Sequence, residues 1–264
     1  MSTTPTLWMN QLSWIDYQHR IRTEQPPVLL PVGALEQHGP HLPLGTDGLL
    51  ASAVAADTAA QVRGLVAPTL SYGYKSQPKC GGGQHFCGTT SVDAATLIGQ
   101  VRDAVREFAR HGVDKLVVVN GHYENQWFLI EGIDLGLRDA RAADAACVLQ
   151  VMRLEYWDFM TPETLGDVFP DGFPGFALEH AAVLETSMML HHHPSLVRMD
   201  LLPGDGPAEF PPYDMYPPRT DWVPPSGVLS SARGADATKG KLLANEVARR
   251  MAEAISTGFN RPAP

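Results

Sequence analysis

The sequence contains few cysteines, and they are not arranged as a metal-binding or redox pair. Its 264 residues include three, Cys80, Cys87 and Cys147, and no two of them are spaced as C-x-x-C. An odd number of thiols cannot all pair, and disulfides persist mainly in oxidising compartments. The cysteine content therefore predicts a cytoplasmic protein.

Basic blocks and long apolar runs are also missing. The chain has 20 Lys and Arg against 29 Asp and Glu, a formal net charge of −9, which excludes a typical nucleic-acid surface. The first residues lack the basic and then apolar segments of a signal peptide. No apolar run approaches the roughly 20 residues that span a bilayer. We therefore expect neither nucleic acid nor a membrane as a partner.

Several common catalytic and phosphate-binding motifs are absent. The chain has no G-x-S-x-G and no H-E-x-x-H, which leaves a serine hydrolase elbow and a single-zinc protease helix without support. The glycines at 81–83 do not fit the dinucleotide or P-loop patterns. A flexible loop that approaches a substrate is the better interpretation of this glycine run.

Two separated pairs of possible metal ligands are present instead. Glu36 and His38 lie in PVGALEQHGPHLPLGTD, which ends at Asp47, and His122 and Glu124 lie in VVVNGHYEN. Each pair follows a short apolar run typical of a buried strand, and residues at i and i+2 of an extended segment share a face. All five could be ordinary polar loop residues. Because both segments carry the same chemistry, we favour a site for two divalent cations that activate water.

Apolar runs alternate with segments of helical periodicity along the chain. Strands are predicted at Val28–Val32, Leu65–Ala67, Leu116–Asn120 and Cys147–Leu154, and helices at Asn10–Ile21, Gly48–Arg63, Val92–His111, Gln126–Arg141, Ala181–His192 and Lys239–Phe259. This alternation predicts an α/β fold, with a mostly parallel sheet flanked by helices in a single three-layer domain over residues 1–264. Ligands bind at the carboxyl ends of such strands, where both pairs lie.

Other residues have suitable chemistry but no decisive spacing. His180, beside Glu179, could move protons near neutral pH, although a histidine at the start of a helix could equally cap it or face solvent. Trp157 and Phe176 could stack on a flat substrate or belong to the core. Cys80 has no evident base and is interpreted as part of a pocket wall.

These segments resemble the creatininase (creatinine amidohydrolase) family over nearly the whole chain. The similarity includes LPVGALEQHGPH, SYGYKSQPKCGGGQHFCGTTS, VNGHYENQWFLIEGIDLGLR, EYWDF, LEH and FPPYD followed by LSSA. It implies a single α/β sandwich, assembly as a homohexamer, and hydrolysis of a small cyclic amide, creatinine to creatine. Alternatives are a related hydrolase of formamides or inositol-derived cyclic ketones, or a non-catalytic metal-stabilised binding protein.

The resemblance also implies a two-metal centre that holds zinc, manganese or both. Glu36, Asp47 and His122 match the ligands of one metal. His38, Asp47 and Glu124 match those of the other, so that Asp47 bridges the two ions. In the implied mechanism Glu124 or Glu179 also holds the catalytic geometry.

Matches outside the metal centre assign further roles. His180 matches the catalytic histidine of the family, and Tyr123, Trp157 and Glu179 match substrate-pocket positions. This chain differs from the family pattern at the substrate pocket. The family has Ser at the position of Cys80, and it has a Trp-Asp pair at the positions of Phe176 and Ala177. We therefore expect the reaction class to be kept and the substrate preference to be the more variable property.

Overall fold

A parallel four-stranded sheet lies at the centre of the computed structural model, which describes residues 6–260. Its strands are Val28–Val32 (β1), Leu65–Val66 (β2), Lys115–Asn120 (β3) and Gln150–Glu155 (β4), in the order β2-β1-β3-β4. The register of the central pair runs from Val28 opposite Leu116 to Val32 opposite Asn120. The two strands that precede the predicted ligand pairs are therefore neighbours and end together.

Helices cover both faces of this sheet. They are Trp14–Thr23 (α1), Thr46–Val62 (α2), Pro78–Gly81 (α3), Ala94–Arg110 (α4), Gln126–Ala143 (α5), Pro162–Val168 (α6), Val183–His192 (α7) and Ala237–Phe259 (α8). On one face α4 and α5 contribute to the core, and on the other α2, α7 and α8 do so. The predicted fold class is confirmed. Within residues 6–260 no helix is long and apolar enough to cross a membrane.

The central strands are uniformly apolar because both of their faces are buried. Leu30 and Val118 belong to the hydrophobic cluster with α4 and α5, whereas Leu29 and Val117 belong to the cluster with α2, α7 and α8. Strands buried on both sides lack the alternation of apolar and polar residues seen in half-exposed sheets. This explains why VLLPV and LVVVN are continuous apolar runs.

Some predicted boundaries are wrong for local reasons. Helix α1 starts at Trp14 because the Ser13 hydroxyl accepts a hydrogen bond from the amide of Asp16 and caps it. Strand β4 starts only at Gln150. Helix α7 starts at Val183, since Ala181 has a φ of +56° that interrupts a regular helix. Helix α6 was not predicted.

Two glycines place the start of α2 directly over the ends of β1 and β3. Strand β2 pairs with one side of β1 and β3 with the other, so the direction in which strands are added to the sheet reverses at β1. Open α/β sheets bind ligands at the carboxyl ends of the strands beside such a reversal. A Cβ on Gly33 would lie 2.8 Å from the carbonyl carbon of Asp47, and one on Gly121 would lie 2.6 Å from its carbonyl oxygen. The absence of these side chains lets Asp47 approach both strand ends.

Gly121→Ala is therefore expected to destabilise the protein by about 1–3 kcal/mol, because the new methyl group must displace the first turn of α2. Gly99→Ala is the matched control, since Gly99 lies within α4 and a Cβ there meets nothing within 4 Å. Alanine at this helical position should be neutral or stabilise by up to ~1 kcal/mol. Urea unfolding measures both effects, and equal midpoints for the two variants would contradict the steric argument.

Candidate metal centre

Asp47 lies between two histidines at the carboxyl ends of β1 and β3. Its Oδ1 is 2.9 Å from His38 Nε2, and its Oδ2 is 3.0 Å from His122 Nδ1. The exposed fractions of the three residues are 2%, 0% and 3%. One buried carboxylate thus faces an imidazole nitrogen with each of its oxygens.

Backbone carbonyl groups fix which nitrogen of each histidine faces Asp47. His38 Nδ1 lies 3.1 Å from the carbonyl oxygen of Glu36, and His122 Nε2 lies 3.0 Å from that of Tyr74. A carbonyl oxygen only accepts, so each of these nitrogens donates its N–H and leaves the other nitrogen without one. Histidines that bind metals are commonly held in this way.

Two further carboxylates complete a ligand set on each side of Asp47. Glu36 Oε2 lies 3.3 Å from His122 Nδ1, and Glu185 Oε2, on the first turn of α7, lies 3.6 Å from His38 Nε2. Ligand atoms lie within 4.8 Å of one another in the group Glu36, Asp47 and His122, and likewise in His38, Asp47 and Glu185. The two groups share Asp47.

Several buried polar atoms in these two ligand groups lack hydrogen bonds, which indicates whether the groups suit cations. Among residues 6–260, Glu36 Oε1, His38 Nε2 and Asp47 Oδ2 are buried and have no partner in hydrogen-bonding geometry, although His38 Nε2 and Asp47 Oδ2 lie within 3.0 Å of neighbouring polar atoms. Buried groups in this state are costly unless something compensates them. Oxygen and imidazole donors suit zinc and manganese, so the residues present fit two divalent cations.

The pKa shifts of the two histidines agree with this interpretation. Burial lowers the pKa of His38, but the carboxylates of Asp47 and Glu185 outweigh it and raise the pKa well above its usual value. At His122 burial is likewise outweighed by Glu124 and Glu36. The carboxylates thus attract positive charge to these nitrogens. Metal binding requires neutral imidazoles, so bound cations would take the place of the protons.

Glu124 takes a different position from the one predicted for the second ligand set. Its Oε1 accepts a hydrogen bond of 2.7 Å from the amide of Gln77, and its Oε2 lies 3.5 Å from His122 Nε2, the nitrogen turned away from Asp47. Among the described residues, it is Glu185 that joins His38 and Asp47. Sequence reasoning missed Glu185, although the signal was a second carboxylate in FALEHAAVLE.

His180 lies beside the ligand groups. Its Nδ1 is 4.0 Å from Glu36 Oε2, and its ring centroid is 4.3 Å from that of His38. Burial and the neighbouring His38 lower its pKa, so the ring is neutral near pH 7. The next residue, Ala181, has the φ of +56° that non-glycine residues rarely adopt. The chain thus holds a neutral imidazole at the edge of the cluster, able to take up and release a proton.

A cavity of about 320 Å³ opens above these groups. The five residues predicted to bind substrate all line it: Cys80, Tyr123, Trp157, Phe176 and Glu179. The rings of Tyr123 and Trp157 are 6.4 Å apart, and Phe176 packs edge-on against Phe173 at 4.8 Å. The structure thus brings the predicted wall and the ligand groups to one pocket.

Burial shifts several pKa values in the wall. It raises the pKa of Glu179 to about 8, while the Glu179 Oε2 accepts a hydrogen bond from the amide of Leu184 at 2.8 Å. Burial raises the pKa of Glu124 to about 7, against the opposing effect of His122. Burial also raises the pKa of Cys80 to about 12, so its thiol stays neutral. A neutral Glu179 carboxyl can donate a hydrogen bond to a substrate.

Comparison with known proteins decides the family. The family model described as creatinine amidohydrolase matches residues 10–255. The chain belongs to the creatininase family. The creatinine amidohydrolase of Pseudomonas putida is 46% identical over 255 residues, which are 96% of this chain and 98% of that protein. The predicted resemblance is confirmed.

Solved structures of creatininase share the fold of this family member. A manganese form, 45% identical, has a TM-score of 0.94 and covers 97% of this chain and 100% of its own. A glutamine variant of creatininase complexed with creatine has a TM-score of 0.93, with the same identity and coverage.

Proposed function

We propose that this creatininase-family protein hydrolyses creatinine to creatine with two divalent metal ions, zinc, manganese or both. The observation that carries the proposal is the pair of ligand groups that share Asp47 beneath a cavity of about 320 Å³. The similarity to the creatinine amidohydrolase of Pseudomonas putida supports the same reaction. A cavity of this volume suits a small molecule.

Glu36, Asp47 and His122 would hold one ion, and His38, Asp47 and Glu185 the other. When bound, such a pair of cations lowers the pKa of water and polarises a carbonyl group. Backbone carbonyl groups orient His38 and His122 for this role.

The remaining chemistry belongs to side chains of the pocket. Hydrolysis adds the oxygen of water to the ring carbonyl carbon, breaks its bond to the ring nitrogen and places a proton on that nitrogen. His180 is neutral and presents Nδ1 toward the ligand groups, so it takes the proton from water and delivers it to the leaving nitrogen. Glu124, whose pKa is about 7, is the second candidate for holding a proton there.

The pocket wall would orient the substrate and keep water from the reacting bond. Trp157 and Tyr123 offer aromatic faces to a planar ring, and Phe176 lines the same cavity. Glu179 Oε1 is buried and has no hydrogen-bond partner in the described part of the chain, so it can bind a polar group of the substrate.

Removal of the metals should abolish the activity and lower the melting temperature. The ligands leave buried polar atoms unsatisfied, and ions that bind only the folded protein stabilise it by mass action. The measurement is creatine formation and Tm before chelation, after chelation, and after zinc or manganese is restored. Full turnover by protein shown to be metal-free would contradict the proposal. Absence of turnover with two metals bound would redirect the assay to formamides and inositol-derived cyclic ketones.

We also infer that one domain of residues 1–264 assembles into a homohexamer in the cytoplasm. Both hydrophobic layers pack on one sheet, which supports a single domain. The side chains of Trp14, Trp127 and Tyr216 are each more than 70% exposed, and exposed aromatic residues are common at protein interfaces. The three cysteines are free thiols, as expected in a reducing compartment. Light scattering measures the number of subunits.

A further inference from the structure

Gln37 lies between two proposed metal ligands in the sequence, but its side chain makes contacts of a different kind. It is 5% exposed. Its Oε1 accepts a hydrogen bond of 2.9 Å from the amide of Gly39. Its Nε2 donates to the carbonyl oxygens of Gly81 at 3.0 Å and Gly227 at 2.9 Å. An N–H on one side and two carbonyl groups on the other fix the orientation of the amide.

These bonds join three segments that are distant in sequence. Gly81 is the last residue of α3 and the first of the glycine run, Gly227 lies in the long segment before α8, and Gln37 follows β1. A Cβ on Gly227 would overlap the Gln37 side-chain amide, and one on Gly82 would lie 2.7 Å from Gln37 Nε2. Two glycines are therefore needed for the close approach around Gln37.

Gln37 also contacts one ring nitrogen of His180, with both its backbone and its side chain. His180 Nε2 lies 2.8 Å from the backbone carbonyl oxygen of Gln37 and 2.9 Å from the side-chain amide nitrogen of the same residue. The amide has two protons, and the carbonyl groups of Gly81 and Gly227 account for both. Because the Gln37 carbonyl oxygen only accepts, His180 Nε2 must carry the ring proton. That assignment leaves Nδ1 without a proton, and Nδ1 is the nitrogen that faces Glu36.

We propose that Gln37 is a positioning residue for His180: its backbone carbonyl holds the ring with Nε2 protonated and Nδ1 directed to the reacting centre, and its side-chain amide fastens Gly81 and Gly227 around that ring and so keeps this backbone contact in place. Gln37 does not line the substrate cavity, so it acts through His180. The expected effect of Gln37 on kcat rests on the proposed function, whereas the position of the proton on the His180 ring does not.

The first test compares Gln37→Met and Gln37→Glu with the unaltered zinc-loaded protein. Both substitutions keep much of the side-chain volume and leave the backbone carbonyl of residue 37 in place. Met removes both hydrogen bonds donated to Gly81 and Gly227, and a neutral Glu carboxyl can keep at most one of them. Since positioned acid–base groups contribute about 10²–10⁴-fold, we expect kcat to fall by roughly 10²-fold, with KM changed less than about threefold and zinc content unchanged. The Glu variant decides the result if the Met variant does not fold.

Gln84→Met is the matched control, because Gln84 is exposed and, of the residues that the structure describes, its side-chain amide forms a hydrogen bond only with the Ser91 hydroxyl, at 2.9 Å. It should keep the kcat of the unaltered protein. The proposal is overturned if Gln37 variants that fold and bind zinc keep kcat within about twofold, or if the loss lies entirely in KM.

The second test observes the imidazole directly in zinc-loaded protein with ¹⁵N-labelled histidine. The His180 signals are assigned by comparison with His180→Asn. We expect a proton on Nε2 and none on Nδ1, and a proton on Nδ1 instead would overturn the proposal. This measurement stands even if the protein does not hydrolyse creatinine, so failure of the proposed function and failure of this inference are distinguishable.

Discussion

Asp47→Ala is expected to abolish creatinine hydrolysis, with kcat/KM reduced by at least roughly 10³-fold, equivalent to about 4 kcal/mol of transition-state stabilisation. Asp47 faces His38 with one oxygen and His122 with the other, so its loss removes a ligand from both proposed sites at once. No other described carboxylate joins both ligand groups. We therefore expect fewer than two metals per subunit, measured by elemental analysis of dialysed protein alongside creatine formation.

Asp57→Asn provides the control on the same helix. Asp57 lies ten positions further along α2, where its carboxylate is 3.8 Å from His192 and remote from the cavity. This variant should keep two metals and its activity, and circular dichroism verifies that both variants are folded. An Asp47→Ala protein that retained two metals and most of its turnover would refute the shared-ligand arrangement.

The part of this centre that was predictable from sequence lies at the strand ends. A parallel sheet brings the carboxyl ends of β1 and β3 to one edge, and their register places Val32 opposite Asn120. Polar residues that directly follow two such strands must therefore meet. This reasoning located Glu36, His38 and His122, and the structure does bring them together around Asp47.

The position of Glu124 in the structure differs from the one that the same reasoning predicts. The i and i+2 rule requires extended backbone, but Tyr123–Asn125 forms a 3₁₀ turn immediately after His122. The turn carries Glu124 away from the face that His122 presents to Asp47 and toward the amide of Gln77. A two-residue spacing in the sequence does not reveal that a helical turn follows His122.

Glu185 was not predictable as a partner of His38 because tertiary packing brings it there. It lies 147 positions along the chain from His38, on a helix whose start depends on the left-handed backbone of Ala181. The Glu185 carboxylate accepts a hydrogen bond of 2.6 Å from the amide of Ala181, which fixes it against the turn. Hydrophobic periodicity carries no information about such a turn, so the sequence does not reveal the contact between Glu185 and His38.

His180→Ala should reduce kcat by about 10²–10⁴-fold while leaving two metals bound, because His180 is proposed to transfer a proton and not to hold an ion. His180 Nδ1 is 4.0 Å from Glu36 Oε2, further than the contacts that join His38 and His122 to Asp47. The measurements are kcat, KM and metal content of the same preparation.

The metal content separates proton transfer from coordination. Glu36, His38 and His180 also bring ligand atoms within 4.8 Å of one another, so the histidine has a geometric alternative as a ligand. If His180→Ala loses one metal, coordination is the correct role and the acid–base assignment fails. His85→Asn serves as the control because His85 is exposed on the neighbouring glycine-rich loop and should change neither quantity. If kcat falls strongly while both metals stay bound, His180 does not act as a ligand. Proton transfer is then the role of this neutral, buried imidazole at the edge of the cluster.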